Sequence, residues 1–416
     1  MQDNVIQRFI GIQGHTVRAI HFLDDKGCPT DAEDEVTEVI IELGRLAGNR
    51  FRCSCGKDFK RYYDVREALV RDLPWGPWQN VYLLVPRFRV NCPICGVVTE
   101  DLEWVSRRCR YTRRLAQAVA LACREVRSIS AIAEAFGLSW KTVKQIDKTA
   151  LEAQLNPPRF DTVRHLAIDE FSIKRKHTYG TIFLDIDNNR VLWVCMTRTA
   201  EAVMDVFRNV FGSQVCAGIE AVSMDWWPAY EKAVSETMPQ AEVVWDFFHI
   251  IKKYNSEVLD RVRLDEAQNC QSEAERRTMK KTKFLLLKNR SNLTAEEPAR
   301  LKELLAINRR LFVVYILRDA LKKLWSYKYP QRAREWFAGW YRRAIGSRIP
   351  ALKRFAQKLK KRLHGILAHC RHPIHTGMLE GINNKVKVIK RVAYGFRDYD
   401  YFFLKIRAHY HEITPL

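Results

Sequence analysis

Three short apolar runs in this 416-residue chain end on a carboxylate. His165-Leu166-Ala167-Ile168 runs into Asp169 and Glu170, Ala221-Val222-Ser223-Met224 into Asp225, and Val243-Val244-Trp245 into Asp246, with His249 three residues on. Far downstream, Glu380 stands in Gly377-Met378-Leu379-Glu380-Gly381-Ile382-Asn383-Asn384-Lys385. Carboxylates at the ends of adjacent strands, joined by one from a late helix, are hard oxygen ligands able to hold two divalent cations about 3.5–4 Å apart. Such a pair, magnesium or manganese, serves chemistry at phosphorus, one ion activating the attacking oxygen and the other steadying the leaving oxygen. Acids at strand ends are also common solvated features, so the order of the elements has to carry the reading. Glu170 falls on the opposite face of its strand from Asp169 and is disfavoured as a ligand. Asp246 and His249 are candidates for a supporting shell around the metals, although a histidine at a helix start is more often structural.

A second group is made of sulfur. Cys53-Ser54-Cys55 and Cys92-Pro93-Ile94-Cys95-Gly96 offer two close pairs of thiolates, the donor set that one structural tetrahedral zinc ion requires. Gly96 lets the backbone curl after the second pair. The alternative is four reduced, buried cysteines. Cys28, Cys109 and Cys123 stand apart and read as packing residues.

A third group is basic. Ser128–Gln145, SISAIAEAFGLSWKTVKQ, has Ala133, Gly137 and Val143 at the offsets where a helix-turn-helix needs a small contact, a turn and an apolar anchor. Ser139 is placed to cap the second helix, and Trp140, Lys141 and Lys144 project from its opening turns toward a major groove. A plain helical hairpin with a glycine turn is the competing reading. Glu380, Asn384, Lys387 and Arg391, spaced 4, 3 and 4, line one helical face, so Lys387 and Arg391 can hold DNA beside the carboxylate. An ordinary solvated ion-pair face would share that spacing.

The elements that must position these groups follow from the pattern. Residues 1–105 carry short β-like runs such as Val36–Leu43 and Val81–Val90 between Gly and Pro clusters, and both cysteine pairs. Residues 106–156 turn helical, ending at Asn156-Pro157-Pro158. Residues 163–250 read strand, strand, strand, helix, strand, helix, strand, the layout of an RNase H-like mixed sheet. Residues 251–372 are helical and dense in Lys and Arg, and 376–411 read as two helices broken at Gly395. In the insertion, Trp325, Tyr327, Tyr329, Trp336, Trp340 and Tyr341 interleave with basic residues, fitting either base stacking or a bundle core. The expectation is a multidomain α+β chain. It comprises an N-terminal zinc-binding β-rich finger (1–105), a helix-turn-helix (106–156), an RNase H-like α/β catalytic domain (157–250 and 373–416) and an all-helical insertion (251–372).

Charge points to the same partner. There are 70 Lys+Arg against 48 Asp+Glu, a net +22, which favours a polyanion and places double-stranded DNA first. No apolar run is long enough for a membrane span, and Asp3, Arg8, His15 and Arg18 interrupt any signal-peptide core. The expected location is inside the cell, in the cytoplasm. Eleven cysteines in such a chain argue for metal rather than a disulfide framework.

The order finger, helix-turn-helix, Asp–Asp–Glu domain resembles insertion-sequence transposases of the ISL-three family. The residues carrying the resemblance are Arg87-Phe88-Arg89 with Cys92-Pro-Ile-Cys95-Gly, AIDEFSIKRKHTYGTIFLD from Ala167, MDWWPAY from Met224, DFFHIIK from Asp246, and LEGINNKVKVIKRVAYGFRDYDYF from Leu379. Glu380 and Lys387, with six residues between them, also fit the wider transposase signature. Cys53 and Cys55 depart from the family, which more usually has two residues between them. The resemblance implies that Asp169, Asp225 and Glu380 are the catalytic acids and that 251–372 interrupts the catalytic domain. It also implies binding to terminal inverted repeats, strand cleavage and joining to target DNA, with a homodimer in the transposition complex. The competing readings are a DNA-binding regulator that has lost cutting and a nuclease on the same fold.

Overall fold

The computed structural model describes residues 11–410 except 49, 107–108, 126, 156–158, 175–177, 271, 274–275, 278–281, 289–293 and 375–376, and omits the side chains of 174, 284, 300, 307, 378 and 380. The chain divides into two compact units, 1–156 with 389–408, and 157–388.

The first unit is built on a five-stranded sheet. Strands β1 (His15–Leu23), β2 (Glu38–Arg45), β6 (Asn80–Cys92) and β5 (Asp64–Arg71) pair in that order, and β7 (Gly96–Thr99) pairs with β6. Alternation decides which face is buried: Val39, Ile41 and Leu43 of β2 and Val81, Leu83 and Val85 of β6 are all 0–2% exposed, with the half-buried Ile40, Glu42, Tyr82 and Leu84 between them. The short ribbon β3 (Phe51–Arg52) with β4 (Asp58–Phe59) carries the first cysteine turn, and the β6–β7 turn carries the second.

Three helices follow: α1 (Arg113–Ala122), α2 (Ile129–Phe136) and α3 (Trp140–Gln154). The expected helix-turn-helix is present in its local detail. Ser128 caps α2 by accepting from Ala131 N–H, Gly137 ends it in the left-handed region at φ 59°, and Ser139 caps α3 through Thr142 N–H. Ala133 and Val143 are buried where the two helices meet. Arg71, itself buried, donates to the carbonyls of Gln79, Phe136 and Gly137, so it staples the turn to the sheet.

Finger and helix-turn-helix belong to one compact unit, which residues 389–408 also join. The cause is a polar cluster on α3. Asp147, 2% exposed, accepts from Tyr401 Oη and from Lys405 Nζ at 2.9 Å, and Lys405 also reaches the Cys123 carbonyl at 2.7 Å. Cys123 is buried as expected, whereas Cys28 is exposed because it lies in a surface turn closed on Asp24.

The second unit holds a sheet in the order β10 (Arg190–Cys195), β9 (Thr178–Asp185), β8 (His165–Lys174), β11 (Ala221–Met224), β12 (Glu242–Trp245). The first three are antiparallel, and β8, β11 and β12 are parallel. Leu166, Ala167 and Ile168 and all of β11 are buried, as strands covered on both faces must be. Helices fill 247–268 and 297–368 and share one large core with the sheet. Trp340 is fully buried and donates to the Leu317 carbonyl, and Trp336 donates to that of Ala320. Trp325, Tyr327 and Tyr341 are half-buried against this core, so of the six interleaved aromatics Trp340 is bundle interior, four line its edge and Tyr329 is exposed. A helix over Gly377–Val392 and another over Tyr399–Ala408 end the described chain, with Gly395 at φ 99° between them.

Gly137→Ala is expected to destabilise the first unit. A Cβ there would lie 2.9 Å from Arg71 Nη2, at a φ that costs an L-residue roughly 1–2 kcal/mol. Hydrogen exchange across residues 128–154 checks this, and protection equal to wild type would refute it.

Candidate active site and metal-binding clusters

Register brings the acids together. Ala221 to Met224 pair with His165 to Ile168, and with Glu242 to Trp245 on the other side. The residues that follow each matched stretch, Asp169, Asp225 and Asp246, thus occupy neighbouring positions at the carboxyl ends of three parallel strands, one strand spacing of about 4.8 Å apart. Parallel strands put equivalent residues level, so the row is a property of the pairing.

Each acid has its own environment. Asp169 is 3% exposed; it accepts from Glu170 N–H at 2.8 Å and from Asn383 Nδ2 at 2.6 Å, and His249 Nε2 lies 3.8 Å away. Burial pushes its carboxyl up to about 6, against the charge of His249 and the two hydrogen bonds. Asp225 is more open, accepts from Trp226 N–H, and has Lys253 Nζ at 3.8 Å. Asp246 caps the helix Phe247–Tyr254 through Phe248 N–H and holds His249 Nδ1 at 3.1 Å. Burial alone would depress His249, but Asp246 and Asp169 outweigh it and hold the imidazole above its ordinary value. His249 therefore stands between two carboxylates as a proton-holding group.

Glu380 lies on the helix Gly377–Val392, and its side chain is outside the described residues. Asn383, one helical turn on, is the residue of this helix seen to touch Asp169. The sequence reading named Asn384 on this face; Asn384 Oδ1 instead accepts from Lys387 Nζ at 3.2 Å. The i,i+3 relation of Asn383 to Glu380 was the available signal. Lys253 was also missed, and its position seven residues after Asp246 on a helix leaving the strand end was the clue. Lys387 and Arg391 are exposed. Glu170 accepts from Arg198 at 2.7 Å, consistent with its exclusion from the acid row.

On α3, Trp140 and Lys141 are exposed. Lys144 is engaged in an ion pair, its Nζ lying 2.9 Å from Asp398, which Lys148 also contacts at 3.1 Å. These lysines and the Tyr401 N–H hold the Asp398 carboxyl well below the usual range in spite of its partial burial.

Cys53, Cys55, Cys92 and Cys95 offer sulfurs that all lie within 4.8 Å of one another, with Cys55 and Cys92 at 3.6 Å. Tetrahedral zinc with ~2.3 Å bonds needs sulfurs about 3.8 Å apart. The Cys95 and Ile94 N–H groups aim at Cys92 and lower its thiol to about 7, against burial. Gly56 and Gly96, at φ 89° and 72°, make the two tight turns. Four soft donors with amide support could hold one zinc ion.

A family model described as Transposase matches residues 166–406, and one described as Helix-turn-helix domain of transposase family ISL3 matches 100–151. The chain is 44% identical over 400 residues, 96% of each chain, to the transposase for insertion sequence element IS1001 of Bordetella parapertussis. It is 28% identical to the transposase for insertion sequence element IS1557 of Mycobacterium tuberculosis, over 94% of this chain and 92% of the relative. The Drosophila P element transposase strand transfer complex shares a TM-score of 0.33 at 11% identity over 71% of this chain and 90% of that one, a likeness too distant to argue from.

The raised Asp169 carboxyl has a sign. A carboxyl whose folded value lies above its unfolded one contributes stability below pH 3.8 that is lost as pH rises through about 6. In magnesium-free buffer the second unit should lose stability between about pH 4 and 6, on the order of 3 kcal/mol at most from this group, and level off above that. Asp169→Asn should flatten that slope. Paired thermal melts at several pH values check it, and identical slopes in both proteins would remove the argument.

Proposed function

This chain belongs to the ISL3 family of transposases, and we propose that it binds the terminal inverted repeats of its insertion sequence, cleaves them and joins the ends to target DNA. It is a DDE transposase with a helix-turn-helix DNA-binding domain. The observation that carries the finer reading is the level placement of Asp169 and Asp225 by β8–β11 pairing, with the Glu380 helix tied to Asp169 through Asn383.

In this reading the sheet is RNase H-like and Asp169, Asp225 and Glu380 hold two magnesium or manganese ions. The donor chemistry fits, because a buried carboxylate with a raised pKa gains from a cation at that position. When bound, the ions supply activation of the attacking oxygen and stabilisation of the leaving oxygen. Asn383 orients Asp169. His249, backed by Asp246, holds a proton beside the row, and Lys253 adds positive charge next to Asp225 where phosphate charge develops. Lys387 and Arg391 hold DNA along the outer part of the Glu380 helix.

Repeat binding is assigned to Trp140, Lys141 and Lys144 on α3, together with the zinc-bound finger of Cys53, Cys55, Cys92 and Cys95. The open groove on the first unit lined by Arg18, Lys60, Arg61 and Arg66 supports additional phosphate contacts. The protein acts as a homodimer in the cytoplasm, at the nucleoid.

Asp169→Asn, Asp225→Asn and Glu380→Gln are each expected to lower cleavage and joining by more than about 10²-fold while repeat binding persists. Mobility-shift and cleavage assays on one repeat decide it, and an active variant removes its residue from the acid set. Lys141→Ala should weaken binding and reduce its salt slope by about one. Lys144→Ala should do less, since Asp398 already shares that charge. A larger effect at Lys144 than at Lys141 would reverse this ordering.

A further inference from the structure

At the opposite end of β8, four residues or about 13 Å from Asp169, lies a second set of metal-type donors. One ligand atom from each of His165, Glu220 and His372 lies within 4.8 Å of the other two. His165 Nε2 faces His372 Nδ1 at 3.2 Å, with the rings at 61°. Two imidazole nitrogens on a tetrahedral zinc with ~2.0–2.1 Å bonds stand about 3.3–3.4 Å apart. The outer nitrogen of His165 meets a carboxylate, with Nδ1 2.8 Å from Asp187, while His372 Nε2 has Glu242 nearby at 3.9 Å, a carboxylate already paired with Arg371. A carboxylate behind a histidine fixes its tautomer and makes the inner nitrogen a better ligand.

The tautomers sharpen the point. Asp187 requires the proton of His165 on Nδ1, which leaves a lone pair on Nε2. That lone pair faces His372 Nδ1 at 3.2 Å; it accepts the His372 proton from Nδ1 in the metal-free pair, and with that proton moved to Nε2 both inner nitrogens are free to bind one cation. Glu220 can supply the third donor, since both contacts from Arg164 fall on its Oε1.

We propose that His165, His372 and Glu220 form a zinc-class cation site, separate from the acid row and from the four cysteines. Its place gives it a structural role. His165 begins the strand that carries Asp169, Glu220 immediately precedes the strand that leads to Asp225, and His372 lies eight residues before Glu380. One ion would pin the roots of all three segments. Binding there does not depend on the catalytic roles proposed above.

The test is zinc content of the full chain after zinc loading and gel filtration in excess magnesium, which occupies oxygen-ligand sites. Wild type should retain one more zinc equivalent than His372→Gln and Glu220→Gln, and Cys92→Ser should leave this equivalent in place. X-ray absorption at the zinc edge should lose a nitrogen and oxygen shell in His372→Gln while the sulfur shell persists. Circular dichroism identifies any variant that fails to fold, and the milder Glu220→Gln then decides. Equal zinc content in wild type and the folded variants, or an unchanged nitrogen and oxygen shell, overturns the site.

Discussion

The parallel pairing of β8, β11 and β12 governs the second unit, because it determines which side chains stand level. Hydrogen bonds match Ile168 with Met224 and Met224 with Trp245. The next residue on every strand is an aspartate. A slip of one residue in either pairing would turn an acid to the other face and send a buried apolar residue outward, which the core forbids. Leu166, Ile168, Val222, Met224 and Trp245 all belong to one continuous core, so hydrophobic burial enforces the alignment of the charged row.

That alignment has an electrostatic cost, and the surroundings distribute it. Asp169 is the deepest member and is held by one backbone N–H, one amide and one imidazole. His249 is shared with Asp246, and Lys253 approaches Asp225, so the row is partly compensated by groups on the helix that leaves β12. The cations brought by this helix and the cations proposed for the row act on the same negative charge. This is why its first turns, through Asp246 and His249, are as much a part of the site as the strand ends.

Much of this could be read from residues alone, and for a definite reason. Apolar runs ending on acids reveal buried parallel strands, and the cysteine pairs and the Ser–Gly–Ser pattern around α2 and α3 are local chemistry. What escaped reading depends on phase and distance. Asn383 rather than Asn384 meets Asp169 because the rotation of the late helix is set by packing of Leu379, Ile382 and Val386, all nearly fully buried. Lys144 is tied to Asp398, and Asp147 to Tyr401 and Lys405, across about 250 residues of chain that no local pattern spans. The tryptophans of the insertion were ambiguous because an aromatic among lysines suits a core and a nucleic-acid surface equally until burial is known.

The partnership of Asp147 with Tyr401 and Lys405 also imposes an order in time. Asp147 is 2% exposed, and its partners are separated from it by 254 and 258 residues. At about 5–20 residues per second, a ribosome needs roughly 10–50 s to make that intervening length. Through that interval α3 carries a carboxylate whose two partners do not yet exist. The first unit is therefore completed only after the stretch that forms the second unit has been synthesised, and a polypeptide released before then would keep every strand of its first sheet while lacking the closing helix of its helix-turn-helix bundle.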